Sequence, residues 1–247
     1  MKKVIVVLFA TVAITSAAWA QSPSPAGTAS AAATTAASPA ARTDMYHVHF
    51  AKAAVGKAAE LGDGLKKQDA TAPMPGHFIV LRHMDGDDWD YCVIEHLGTK
   101  ATIDASRPAP PPAQGALGAS HTDTFVSGPP WSEFAKQMGI DDASKTTASA
   151  YVVSTYRPAP GQREGLDKFL NEPPDRATDT SSGNVVLQHM EGAAWTFVAV
   201  ARYNSWSDFA KNESNSVAQM NKKEGGWFKL RTFISYHTDT VCDRMAP

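Results

Sequence analysis

The chain is poor in the residues from which many functions are built. Only two cysteines, Cys92 and Cys242, stand in 247 residues, too few for a disulfide scaffold or a cysteine-based zinc site. Walker loops, G-x-S-x-G elbows, H-E-x-x-H pairs and dinucleotide fingerprints are all lacking. Haem would need an axial ligand, and nothing singles out one of the eight histidines; no cofactor and no metal are assigned. Basic residues do not dominate: 23 Lys and Arg face 25 Asp and Glu, for a net charge of −2. That balance argues against nucleic acid or an anionic membrane as a partner.

The one long apolar run lies at the start. Met1-Lys2-Lys3, apolar residues from Val4 to Ile14 and Ala18-Trp19-Ala20 before Gln21 form a basic, apolar and A-x-A series. This predicts a secretory signal peptide over 1–20, with an uncleaved anchor as the alternative. The run is short of the roughly 20 residues that a spanning helix needs. The expectation is a periplasmic or secreted protein with no membrane contact after cleavage. There the two cysteines could pair, or Cys92 could be a buried free thiol. Residues 22–42 are almost wholly Ala, Ser, Thr, Pro and Gly, too little apolar bulk to offset ordering entropy. Residues 21–43 are therefore read as a disordered linker.

Beyond it the sequence repeats itself. Val80-Leu81-Arg82-His83-Met84-Asp85-Gly86-Asp87-Asp88-Trp89 and Val186-Leu187-Gln188-His189-Met190-Glu191-Gly192-Ala193-Ala194-Trp195 agree at six of ten positions, 106 residues apart. Tyr46, Val48, Ala54, Gly56, Leu61 and Leu65 match Tyr151, Val153, Ala159, Gly161, Leu166 and Leu170 at an offset of 105. Trp131-Ser132-Glu133-Phe134-Ala135-Lys136 matches Trp206-Ser207-Asp208-Phe209-Ala210-Lys211 at an offset of only 75. The first copy (44–148) therefore carries about 31 extra residues, read as an inserted Pro-rich loop over 98–128. The second copy spans 149–247.

In the second copy, strands are predicted over 151–156, 184–190 and 195–203. A helix is predicted over 161–171, and another capped by Ser205. A last strand falls within 227–241. The order is βαββαβ, a ferredoxin-like α+β unit. The first copy's fourth strand is ambiguous, because His121-Thr122-Asp123-Thr124 resembles His237-Thr238-Asp239-Thr240 but precedes the Trp131 helix. Either 119–127 supplies the strand or the match is accidental; the first reading is preferred. Trp131, Trp206, Phe134 and Phe209 are read as core.

This order, with the strand–Ala-Pro-Gly–helix opening Tyr156-Arg157-Pro158-Ala159-Pro160-Gly161, resembles the dimeric α+β barrel superfamily, which includes antibiotic-biosynthesis-monooxygenase-like domains. The resemblance implies two facing sheets enclosing a pocket, here within one chain as a pseudo-dimer, whether monomeric or further dimerised. The superfamily includes cofactor-free monooxygenases, haem enzymes and isomerases. No catalytic signature carries over, and fold does not imply function.

Strand alternation assigns Tyr46, Val48 and Phe50 to one face and His47 and His49 to the other. Cys92 and Ile94 are placed under the helices, and Trp89, Tyr91, Val93 and Glu95 in the cleft between the sheets. His47, His49, Arg82, Tyr91 and Glu95 become ligand-binding candidates. The second copy has Val152, Ser154, Gln188 and Ala201 opposite His47, His49, Arg82 and Glu95; drift at exposed positions would look the same. The repeat-paired His83, Trp89, His189 and Trp195 are assigned to structure. A metal set of His47, His49 and Glu95 is conceivable, but the first and third strands are expected to run parallel, which would carry Glu95 past His49. Two functions remain: an exported protein binding a small molecule in the cleft, or a cofactor-independent monooxygenase or isomerase. The second would use His47, His49 or Arg82 on an enolate-like anion, with Tyr91 positioning the ring.

Overall fold

A computed structural model describes residues 41–67, 72–105, 117–141 and 148–247. The expected signal peptide and the body of the expected linker lie outside these residues. Arg42, within the expected linker, does not fit that label: it donates to Asp167 at 2.6 and 2.9 Å, to Gln188 at 3.1 Å and to the Val186 carbonyl at 3.2 Å. A residue with four such bonds is part of the fold.

Eight strands and six helices are present among the described residues. The first half comprises β1 (Asp44–Ala53), α1 (Ala58–Leu65), β2 (Phe78–Asp85), β3 (Tyr91–Thr99), α2 (Lys100–Ala105), β4 (Gly118–Gly128) and α3 (Trp131–Met138). The second comprises β5 (Ala150–Pro158), α4 (Arg163–Leu170), β6 (Gly183–Glu191), β7 (Phe197–Tyr203), α5 (Trp206–Asn221), α6 (Gly226–Leu230) and β8 (Ile234–Ala246). The strands close into a barrel in the order β1-β3-β2-β8-β5-β7-β6-β4, every pair antiparallel. Each half thus contributes four contiguous strands in the spatial order fourth, first, third, second. The seams between halves are β2·β8 and β4·β6.

The supposed loop over 98–128 is corrected: it contains the end of β3, α2 and all of β4. Its Pro-rich centre, 106–116, lies outside the described residues. The fourth strand of the first half is indeed 118–128. His49 faces Asp123 in β4 as Ser154 faces Asp239 in β8, so the His-Thr-Asp-Thr match has a structural counterpart. What moved is the Trp-Ser-x-Phe-Ala-Lys helix, which follows the fourth strand in the first half and precedes it in the second.

The transposed helix has a different job in each half. α3 closes one end of the barrel. Phe134 and Met138 are fully buried, and Phe134 stacks 5.0 Å from Tyr46. The equivalent tyrosines of β1 and β5 hold its two ends: the Tyr46 hydroxyl donates to Pro129 O at 2.6 Å and the Tyr151 hydroxyl to Met138 O at 2.8 Å. Arg202 and Arg244 donate to the neighbouring carbonyls of Gln137 and Gly139. The carbonyls a helix leaves unpaired at its C-terminus are thus met by cations, the favourable sign there. α5 starts as the sequence indicates, with the Ser205 hydroxyl accepting from Asp208 N–H at 3.1 Å. It buries no residue fully, however: Trp206 is 40% exposed and Phe209 only half-buried. The core assignment of that second pair is therefore wrong.

The barrel interior is filled, as in other small barrels. Tyr46, Val48, Ile79, Leu81, Ile94, Val126, Val153, Leu187, Val198 and Val200 meet there. Helix α1 covers part of the outer face through Leu61 on Val80, Tyr91 and Val93. Helix α4 does the same through Leu166 on Val186, Phe197 and Ala199. The strand faces are therefore the reverse of those expected: Cys92 and Ile94 point inward, and Tyr91 and Val93 outward.

Cys92 and Cys242 are both free and buried. They lie on β3 and β8 with β2 between them. Two strand spacings separate their backbones by about 9–10 Å, beyond the roughly 4.4–6.8 Å a disulfide spans. Burial raises both thiol pKa values, so the reactive thiolate is suppressed. Ellman's reagent is expected to find no thiol in the folded protein and two after denaturation. A non-reducing mass showing a disulfide would contradict this.

Candidate functional site

The end of the barrel opposite α3 is open. The hairpin tips that follow β2 and β6 meet there above a hollow of about 420 Å³. Trp89, Trp195 and Phe50, each 8% exposed, form its floor, with Lys52, Asp88, His121, Arg157 and Tyr236 around the rim. Lys52 pairs with Asp88. Asp87 is engaged by Thr238, whose hydroxyl donates to it at 3.0 Å. Arg157 meets no carboxylate among the described residues, and its guanidinium lies 4.8 Å from the Tyr236 ring centroid. The mouth therefore offers flat apolar surface beside one uncompensated cation.

Trp89 and Trp195, assigned to structure, are both core and cavity floor. His83 and His189 sit behind them, ring centroids 5.8 and 5.7 Å away. Their backbone N–H groups close the hairpins onto Asp90 O and Thr196 O. Their buried Nε2 atoms have no hydrogen-bond partner among the described residues.

None of the five ligand-binding candidates lines the mouth. Arg82 lies on the β2·β8 seam, gripping Asp243 with two bonds of 3.0 and 2.6 Å. Tyr91 is under α1, its hydroxyl donating to Ala58 O at 2.6 Å. His47, His49 and Glu95 are on the outer face of β1 and β3, not in a cleft. The expected parallel run of these strands is also corrected. The α1 crossover makes β2 parallel to β1 and the hairpin reverses the chain, so β3 is antiparallel and Glu95 stands opposite His47.

There His47 Nδ1 lies 3.1 Å from Glu95 Oε2, and its Nε2 lies 2.9 Å from Asp123 Oδ1. His49 Nδ1 is 2.7 Å from the same oxygen, and His121 Nε2 is 3.2 Å from Asp123 Oδ2. With a carboxylate on each side, the His47 ring can donate twice only as an imidazolium. Burial pulls its pKa down, but hydrogen bonds and charge from Glu95 and Asp123 outweigh this, and the pKa is raised. Burial likewise pushes the Asp123 carboxyl up, and His49 and His47 bring it below its ordinary value. Asp123 and His121 were not singled out from sequence, although the His-Thr-Asp-Thr match contained both.

No protein-family model and no curated protein matches the chain. The crystal structure of an anthrone oxidase-like protein is similar, with 11% identity and a TM-score of 0.48, over 82% of this chain and 92% of that one.

Proposed function

We propose that this is an exported tandem of two ferredoxin-like units, closed into an intramolecular dimeric α+β barrel. Its proposed function is to bind a small planar anion at the open mouth without turnover. Two sets of repeated residues support the tandem reading: residues matched at offsets of 105 and 106 take equivalent strand partners, as His47–Glu95 and Val152–Ala201 do. The observation carrying the binding reading is Arg157, free of any acidic partner among the described residues, beside the floor of Trp89 and Trp195. Aromatic faces take up a flat apolar body, and a guanidinium orients a carboxylate or sulfonate. An oxygenase or isomerase acting through His47, His49, Arg82 and Tyr91 draws no support from side chains that face away from the mouth.

Calorimetric titration with naphthoate, a planar carboxylate, tests this. Saturable binding is expected, weakened about tenfold (about 1.4 kcal/mol) by Arg157→Gln and again by Trp195→Leu. The pair His47→Ala/His49→Ala should leave the affinity unchanged. Equal affinities in the parent and Arg157→Gln proteins would reject the mouth as the site.

A further inference from the structure

The outer-face cluster carries a second site, which shares only His121 with the rim of the mouth and does not rest on the proposed function. We infer that His47, His49 and Asp123 bind a divalent late first-row transition ion, zinc being the fitting case, with His121 within reach as a fourth ligand. The geometry is already gathered. His47 Nε2, His49 Nδ1 and a carboxylate oxygen of Asp123 lie within 4.8 Å of one another. Bonds of about 2.0–2.2 Å to a tetrahedral zinc place ligand atoms roughly 3.3 Å apart, so only small side-chain adjustments are needed. The backbones are fixed by the sheet: His47 and His49 are alternate residues of β1, and Asp123 is the β4 partner of His49.

Two features set this cluster apart from a solvated patch of charge. The first is behind the ligands. Glu95 holds the Nδ1 side of His47 at 3.1 Å, turning Nε2 toward Asp123. A carboxylate on the far nitrogen of a ligating histidine is how metal sites fix ring orientation and raise ligand basicity. The second is the comparison within the chain. The second half keeps His237 and Asp239 on β8 but has Val152, Ser154 and Ala201 where the first has His47, His49 and Glu95. The two histidine ligands and their supporting carboxylate differ together, on one face of two adjacent strands. Mixed imidazole and carboxylate donors select zinc, cobalt, nickel or copper over calcium or magnesium. Asp123 is 43% exposed and the two histidines about half that, so solvent reaches the site and water can take the fourth position wherever His121 does not.

The experiment is calorimetry with zinc chloride on untagged, chelator-treated protein, with metal content measured after dialysis and thermal melts to verify folding. One equivalent of zinc is expected. His49→Ala should weaken binding at least 100-fold, and Glu95→Gln about tenfold, as loss of such a supporting partner does. His237→Ala, on the half without the ligand set, should bind as the parent does. Cobalt should give visible d–d bands that vanish in His47→Ala. Absence of zinc binding, or affinity and cobalt spectrum unchanged in the folded His47→Ala and His49→Ala proteins, would overturn the inference and leave a hydrogen-bonded surface network.

Discussion

Replacing Gly86 or Gly192 by alanine should cost at least about 3 kcal/mol each, and the double replacement should open the barrel. These are the paired glycines of the repeated hairpins, and each sits on the fourth strand of the other half. At Gly86 an added Cβ would collide with the Asp239 carbonyl and lie 2.7 Å from Thr240 Cα. At Gly192 it would meet the Asp123 carbonyl and lie 2.8 Å from Thr124 Cα. Both have φ near +125°, at 130° and 123°, a region costly for any residue with a side chain, by about 1–3 kcal/mol. The collision is with strand backbone, which can yield only by breaking the seam. Next to each glycine, a backbone N–H donates to the facing threonine, Asp87 to Thr240 Oγ1 at 3.1 Å and Ala193 to Thr124 Oγ1 at 3.2 Å. The two repeated motifs are therefore the two sides of one joint, made twice. Urea unfolding measures the cost. Gly161→Ala, with φ of 77° but nothing within 4 Å, should cost only about 1 kcal/mol. Seam variants as stable as this control would show that the joint is slack.

Phe134→Ala should destabilise the protein by about 3–5 kcal/mol, the range for a fully buried phenylalanine. Phe209→Ala, at the matching position of the same six-residue motif, should cost about 1 kcal/mol. Phe134 is fully buried and wedged between Tyr46 at 5.0 Å and Trp131 at 5.3 Å. Phe209 touches Tyr203 and Trp206 edge-on from a helix that buries nothing fully. For a domain of this size the first change corresponds to a drop in Tm on the order of 10 °C. Equal losses in the two variants would mean that α3 does not seal the barrel.

The contrast between those helices shows what the sequence could convey. The succession of strands and helices was legible over much of the chain because the two differ in period, and the matching hairpins because Gly86, Trp89, Gly192 and Trp195 recur in register. Inward and outward faces were not, because β2 and β3 are apolar on both sides. Phe78, Ile79, Val80 and Leu81 are all buried, as are Tyr91, Cys92, Val93 and Ile94. Alternation cannot orient a strand covered by a helix on one face and a barrel core on the other. The usable clue was the middle of β1, where Tyr46, Val48 and Phe50 on one face alternate with His47 and His49 on the other; a filled barrel demands the first face inside and expels the two histidines. Asp123 escaped notice because its partnership with His49 is a register between strands some 74 residues apart, which no local pattern encodes. Likewise, nothing in Trp131–Lys136 itself distinguishes a stopper from a surface helix.

Helix α3 makes the barrel a cup with one lip. From Tyr46 at its sealed base to Phe50 at the rim is four residues of strand, roughly 13 Å. Sites that far apart, with no shared partner, act on free energy almost independently. Changes at the base should therefore be felt as melting temperature, and changes at exposed rim side chains such as Arg157 as affinity for whatever the mouth is proposed to bind. If the mouth binds as proposed, its preference could be retuned by altering Lys52, Arg157 and Tyr236 while the base and the two hairpin joints keep the vessel intact.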